Sequence, residues 1–139
     1  MSGQGFPSGP LRTSASSTST TGSLKAEVVA GNSKLVVRSE IAEGEGPSPL
    51  DLIAAGLASC EALMAVMVAE KLGVKAEVSV DAELDFEISR GLINGKIIYK
   101  FRGVARETAE RIVDLVKKNC PVYATLSKSA DIKDEVIIE

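Results

Sequence analysis

Two thiols, Cys60 and Cys120, lie sixty positions apart in a chain of 139 residues that has no histidine. Without imidazole there is no Ser-His or Cys-His pair and no two-histidine zinc motif, and two thiols cannot complete a four-ligand zinc site. Chemistry is left to Cys, Asp, Glu, Lys, Arg, Tyr and Ser. No metal and no cofactor is expected. Two cysteines are a poor fit to a disulfide-rich secreted scaffold, whereas cytosolic thiols that do pair are often catalytic or redox-sensing. Redox chemistry is therefore open to this chain.

A thiol works as a nucleophile when it is a thiolate, which needs a cation, a helix N-terminus or hydrogen-bond donors nearby. Cys60 sits in "SPLDLIAAGLASCEALMAVMVAEKLG", well beyond the start of that run, so a cation has to come from elsewhere in the fold. Arg38, in "KLVVRSEI" just upstream, is the candidate. A guanidinium stays charged, stabilises a thiolate and holds peroxide oxygens with its fork of donors. Asp51 is placed to fix its rotamer. Cys120, in "NCP", ends a helix where a loop can approach a sulfenic acid, which suits a resolving thiol. The plain readings stand beside these: each cysteine as a small buried hydrophobe, and Arg38 as a solvated strand residue. Glu61 follows Cys60 directly, but one helical step of about 100° turns it to another face.

The elements that must position these residues are legible in part. "LKAEVVA" and "KLVVRSEI" read as strands joined by a Gly-Asn turn. "AEGEGPSP" is a loop that leads into a helix, with Ser48 as N-cap, Pro49 in the first helical position and Asp51 in the first turn. The helix runs to Gly73, a C-cap signal. Its length approaches that of a membrane span, yet Asp51, Glu61, Glu70 and Lys71 interrupt it, which favours a helix buried in protein. Being apolar nearly all round, it must be covered on most sides, and a partner subunit would do that.

Strict alternation from Val74 to Ile88 predicts a half-buried antiparallel strand with an acidic outer face. "SRGLINGK" predicts a turn and "KIIYKFRGV" the next strand. "ARETAERIVDLVKKN" places Ala105, Ala109, Ile112, Val113 and Val116 on one helical stripe. A short helix after Pro121 and the strand "DEVIIE" complete the order β-β-α-β-β-α-α-β, an α+β fold with antiparallel sheets around a long central helix. The Ser-, Thr-, Gly- and Pro-rich residues 1–22 read as a disordered tail rather than a secretory signal, and 23–139 as one domain. A net charge of -3 with 25% charged residues argues against a nucleic-acid partner. The expected setting is cytoplasmic, without a membrane partner.

"SPLDLIAAGLASC", followed by "AERIVDLVKKNCPVYATLS" and a terminal strand, resembles the OsmC/Ohr family of osmotically inducible and organic-hydroperoxide-resistance proteins from Ser23 to Glu139. The resemblance implies an intertwined homodimer with two active sites at the subunit interface. It also implies a stress-response peroxidase in which Cys60 attacks a hydroperoxide, Cys120 resolves the product as a disulfide, and Arg38 is the site arginine. A dithiol reductant, such as a lipoylated protein or another thiol, would restore the enzyme. Peroxidase branches usually carry Glu directly after the helix-starting Pro, where this chain has Leu50 and only then Asp51. "SPLDL" looks more like the OsmC-like branch, which leaves open a small-molecule-binding or redox-sensing dimer without efficient turnover.

Overall fold

The computed structural model describes residues 8–139, which divide after Ile53 into two compact units. The first unit is a three-stranded antiparallel sheet of β1 (Ala15–Thr18), β2 (Lys25–Ala30) and β3 (Ser33–Arg38), in the order β1-β2-β3. The expected hairpin forms with Ala30 opposite Ser33. Gly31 has φ 61° there, the positive φ that the first central position of a primed hairpin turn requires. The strand β1 lies within the segment expected as tail. Its Ser- and Thr-rich residues bury nothing, but they pair with Glu27 to Ala30 of β2, and that ladder orders them. Residues 1–7 of that expected tail lie outside the described residues.

Helix α1 (Pro49–Lys71) begins in this unit and continues into the second. By length and composition alone it could cross a membrane, the reading that its interrupting charges set aside in favour of a helix buried in protein. Its buried residues are Leu57, Glu61, Ala65, Val68 and Ala69, one stripe at helical spacing, whereas Leu63 is 63% exposed. Gly73 closes the helix with φ 76° while the Val74 N–H reaches back to the Ala69 carbonyl, so Val74 caps the helix instead of opening a strand.

The second unit adds β4 (Glu77–Glu87), β5 (Gly91–Arg102), α2 (Arg106–Asn119), α3 (Pro121–Leu126) and β6 (Ile132–Ile138). Along β4 the side chains alternate as expected between half-buried and exposed, but Ile88 falls in the turn and is 98% exposed. The turn is also shorter than "SRGLINGK" suggests. Asn94 and Gly95 are paired within β5, and a side chain at Gly95 would meet Leu84 Cδ2 at 2.7 Å, so glycine there serves packing. The sheet is mixed rather than antiparallel, because β6 pairs with β5 in parallel, from Gly95 opposite Ile132 to Phe101 opposite Ile138. Parallel strands need a crossover, and α2 with α3 provides it.

The core of this unit joins Leu57, Ala65 and Val68 of α1 to Ile97, Tyr99 and Phe101 of β5 and to Ala109, Ile112 and Val116 of α2. The α2 stripe is as the sequence predicts, apart from Ala105, which is the exposed N-cap. Each large apolar side chain buried here contributes roughly 1.5–3 kcal/mol relative to its exposed state.

Candidate active site

The four residues expected to carry chemistry fall into two pairs, one in each unit. Arg38 ends β3 and turns its guanidinium onto the loop that follows. Its Nε donates to the Gly46 carbonyl at 3.1 Å, Nη1 to the carbonyls of Ala42 at 2.9 Å and Ser39 at 3.5 Å, and Nη2 to Asp51 Oδ2 at 3.3 Å. The loop can approach this closely because Gly46 has φ 89° and no side chain. A Cβ at that position would lie 2.1 Å from the Val36 carbonyl oxygen.

Asp51 does two jobs. Besides pairing with Arg38, its Oδ2 accepts the Ser48 N–H at 3.0 Å while its own N–H donates to Ser48 Oγ at 3.1 Å. This is a capping box with Asp in the place usually held by Glu or Gln. The Ser48 N–H, followed by the Ser48 hydroxyl and the Arg38 guanidinium, holds the Asp51 carboxyl below the usual carboxylate range. Glu40 Oε2 takes the Leu50 N–H at 2.7 Å, and the Leu52 N–H bonds to the Ser48 carbonyl. Pro49 has no N–H, so every amide of the first turn has an acceptor.

The second pair is the thiols. Cys60, halfway along α1, is half-buried; Cys120, between α2 and α3, is 1% exposed. Their sulfurs lie 3.0 Å apart, with the Cys120 S–H donating to Cys60 Sγ. An S–S bond is about 2.05 Å long, so closing it asks for a movement of roughly 1 Å. Cys120 is extended and serves as the N-cap of α3, its sulfur accepting the Tyr123 N–H at 3.3 Å. Burial, the contact with Cys60 and the nearby Glu61 carboxylate push the Cys120 thiol far up, and the Tyr123 N–H only partly opposes them. Cys120 therefore rests as a thiol and a proton donor.

Sequence reasoning set Glu61 aside. The structure buries it completely, and its Oε1 accepts a hydrogen bond from the Tyr99 hydroxyl of β5. Oε2 has no hydrogen-bond partner among the described residues. Burial and Glu61 raise the Tyr99 phenol far above its ordinary value, so it remains an O–H donor. The available signal was the spacing of Leu57, Glu61, Ala65 and Val68, which puts a carboxylate on a buried stripe. On a helix apolar all round, that stripe is hard to single out. No group of three or more Cys, Asp or Glu side chains among the described residues is placed to hold a metal ion.

Residues 42–135, more than half of the chain, match the family described as OsmC-like protein. The chain belongs to the OsmC family. Solved OsmC-like structures share its fold. The OsmC-like protein from Mycoplasma pneumoniae is 19% identical with a TM-score of 0.75, covering 92% of this chain and 97% of that one. The organic hydroperoxide resistance protein OhrB of Bacillus subtilis is 19% identical with a TM-score of 0.69, covering 91% and 98%. An OsmC-like protein of unknown function from Vibrio cholerae is 16% identical with a TM-score of 0.72, covering 92% and 100%. No curated protein sequence matches the chain. The OsmC fold thus spans proteins described as hydroperoxide-resistance proteins and others without a described function.

Proposed function

We propose that this OsmC-family chain is a thiol peroxidase that reduces hydroperoxides, organic ones in particular, with Cys60 as the peroxidatic and Cys120 as the resolving thiol. The observation that carries this reading is the 3.0 Å approach of two free thiols sixty residues apart. The more accessible sulfur is the acceptor, and the buried one keeps its proton. The Cys60 thiolate attacks one peroxide oxygen, the O–O bond breaks, and the departing alkoxide takes a proton to leave as alcohol. The Cys60 sulfenic acid then condenses with the Cys120 thiol, giving a disulfide and water. A dithiol reductant, lipoylated or otherwise, returns both cysteines to thiols and becomes oxidised itself. Arg38, held by Asp51, is the proposed cation of the site.

The assembly proposed is a homodimer, in which a second copy covers apolar surface of α1 such as Leu63. A reducing, cytoplasmic compartment suits a pair of free thiols.

A second reading, a redox-sensing or small-molecule-binding dimer with little turnover, is favoured by the arginine. All three guanidinium nitrogens are already engaged by Ser39, Ala42, Gly46 and Asp51. Steady-state consumption of cumene hydroperoxide with dihydrolipoamide as reductant separates the two. The peroxidase reading expects turnover in wild type and its loss in Cys60→Ser. It also expects a two-proton mass loss after one equivalent of peroxide in wild type, and a sulfenic or overoxidised adduct in Cys120→Ser. Wild type that consumes peroxide no faster than Cys60→Ser excludes the enzyme.

A further inference from the structure

We infer that Glu61 is the proton acceptor for Cys120 when Cys120 attacks the oxidised Cys60 sulfur, a role that rests on the resolving reaction proposed above. A resolving thiol has to lose its proton as the S–S bond forms, and Cys120 is poorly disposed to do so unaided. It is 1% exposed, so water offers no easy acceptor. Its environment also favours the neutral thiol.

Among the described residues the carboxylate that acts on the Cys120 thiol is that of Glu61, and it is fully buried, which is costly for a charge unless it is hydrogen-bonded. Only half of that requirement is met, since Oε1 accepts from Tyr99 while Oε2 is left with no partner among the described residues. An open acceptor fixed by a phenol on its other oxygen, next to a buried thiol, is arranged to receive a proton.

At rest the Cys120 S–H points to Cys60 Sγ. Once Cys60 carries an oxygen or another leaving group, its sulfur becomes the electrophile and no longer needs that donor. Cys120 then forms the new S–S bond as the bond from Cys60 Sγ to its leaving group breaks, and the leaving group departs with the electron pair. The Cys120 proton passes to Glu61 Oε2, and when hydroxide is the leaving group it goes on to complete a water molecule. The Cys120 sulfur thus never carries a full charge beside the carboxylate. The charged and titratable groups around this step are Cys60 on α1, Tyr99 on β5, Tyr123 on α3, and Lys117 of α2, whose Nζ is paired with Asp134 of β6 at 2.8 Å and lies 5.5 Å from the Tyr123 ring centre.

The test uses no peroxide, so it stands apart from whether the chain turns hydroperoxides over. The aromatic disulfide 5,5′-dithiobis(2-nitrobenzoate) exchanges with the half-buried Cys60, the more accessible of the two thiols, and releases one nitrothiobenzoate, after which attack by Cys120 on the mixed disulfide releases the second. Wild type is expected to release two, and Cys120→Ser one. Glu61→Gln keeps an acceptor for the Tyr99 hydroxyl and is expected to slow only the second release, by about tenfold or more, within the range of a lost general base. Between pH 6 and 8 its second phase should rise about one decade per pH unit, as for an unassisted thiol, while wild type rises less steeply. Equal second-phase rates and slopes in the two proteins would overturn the assignment. So would a full decade per pH unit in wild type alone, a measurement that does not depend on the variant folding.

Discussion

The Arg38–Asp51 pair and the Cys60–Cys120 pair are built on opposite principles. Around Arg38, donors and acceptors are matched: all three guanidinium nitrogens, the Asp51 carboxylate and the amides of the first turn of α1 have partners. Around the thiols the matching is incomplete, since a buried carboxylate keeps one oxygen without a partner among the described residues and two sulfurs meet through a hydrogen bond but no covalent one. A matched polar network fixes a conformation, whereas an unmatched one retains free energy that a reaction can release. Arg38 and Asp51 thus hold a loop and a helix end in one arrangement, and the thiol cluster is where chemistry can occur.

The largest expected effect sharpens that contrast at its unmatched end. Tyr99→Phe removes the one donor that Glu61 has among the described residues and should destabilise the protein by about 3 kcal/mol, because a buried carboxyl group loses its partner. Urea melts at pH 7 measure it, and a loss below about 1 kcal/mol would show that the carboxylate is better solvated than its burial implies. Next comes Arg38→Lys, which keeps the charge and loses the fork. It should cost about 2 kcal/mol as the loop carbonyls lose their donors. Under the peroxidase reading the first-turnover rate falls with it, while under the sensing reading that rate is unchanged, and stopped-flow oxidation of Cys60 distinguishes them.

Ser48→Ala, which removes the acceptor for the Asp51 N–H, should cost about 1 kcal/mol in the same melts. The smallest effect is acid-dependent. The Asp51 carboxyl is held low in the folded state, so its contribution is present above its unfolded value, near about pH 4, and is lost as pH falls through the folded value. The denaturation midpoints of wild type and Asp51→Asn should therefore differ at pH 6 and draw together toward pH 2. A gap that stays constant over that range would mean that Asp51 acts through something other than its charge.

What the sequence disclosed was local. The Gly31-Asn32 hairpin, the Ser48 cap and the stripe of Ala109, Ile112, Val113 and Val116 each rest on neighbours within a few positions. What it hid depends on distant chain. Nothing in "DEVIIE" says that it will lie parallel to β5, because direction is set by the crossover and not by the strand's own side chains. Glu61 was obscured for a related reason. Period 3.6 identifies a buried face only when the other face is polar, and α1 is apolar on all sides. That the two cysteines act together is an expectation from residue type and from the family resemblance, whereas their 3.0 Å approach is a property of the fold.

The Tyr123 amide, which donates to the Cys120 sulfur at the head of α3, carries one last consequence. Where most helices are capped by an oxygen with fixed chemistry, this one is capped by a sulfur that would exchange its bond to hydrogen for a bond to sulfur if the thiols were oxidised to a disulfide. Oxidation state is thereby written into a backbone nucleus. The proton resonance and solvent-exchange rate of that single amide form a label-free gauge of the thiol pair, readable in the intact protein without trapping reagents.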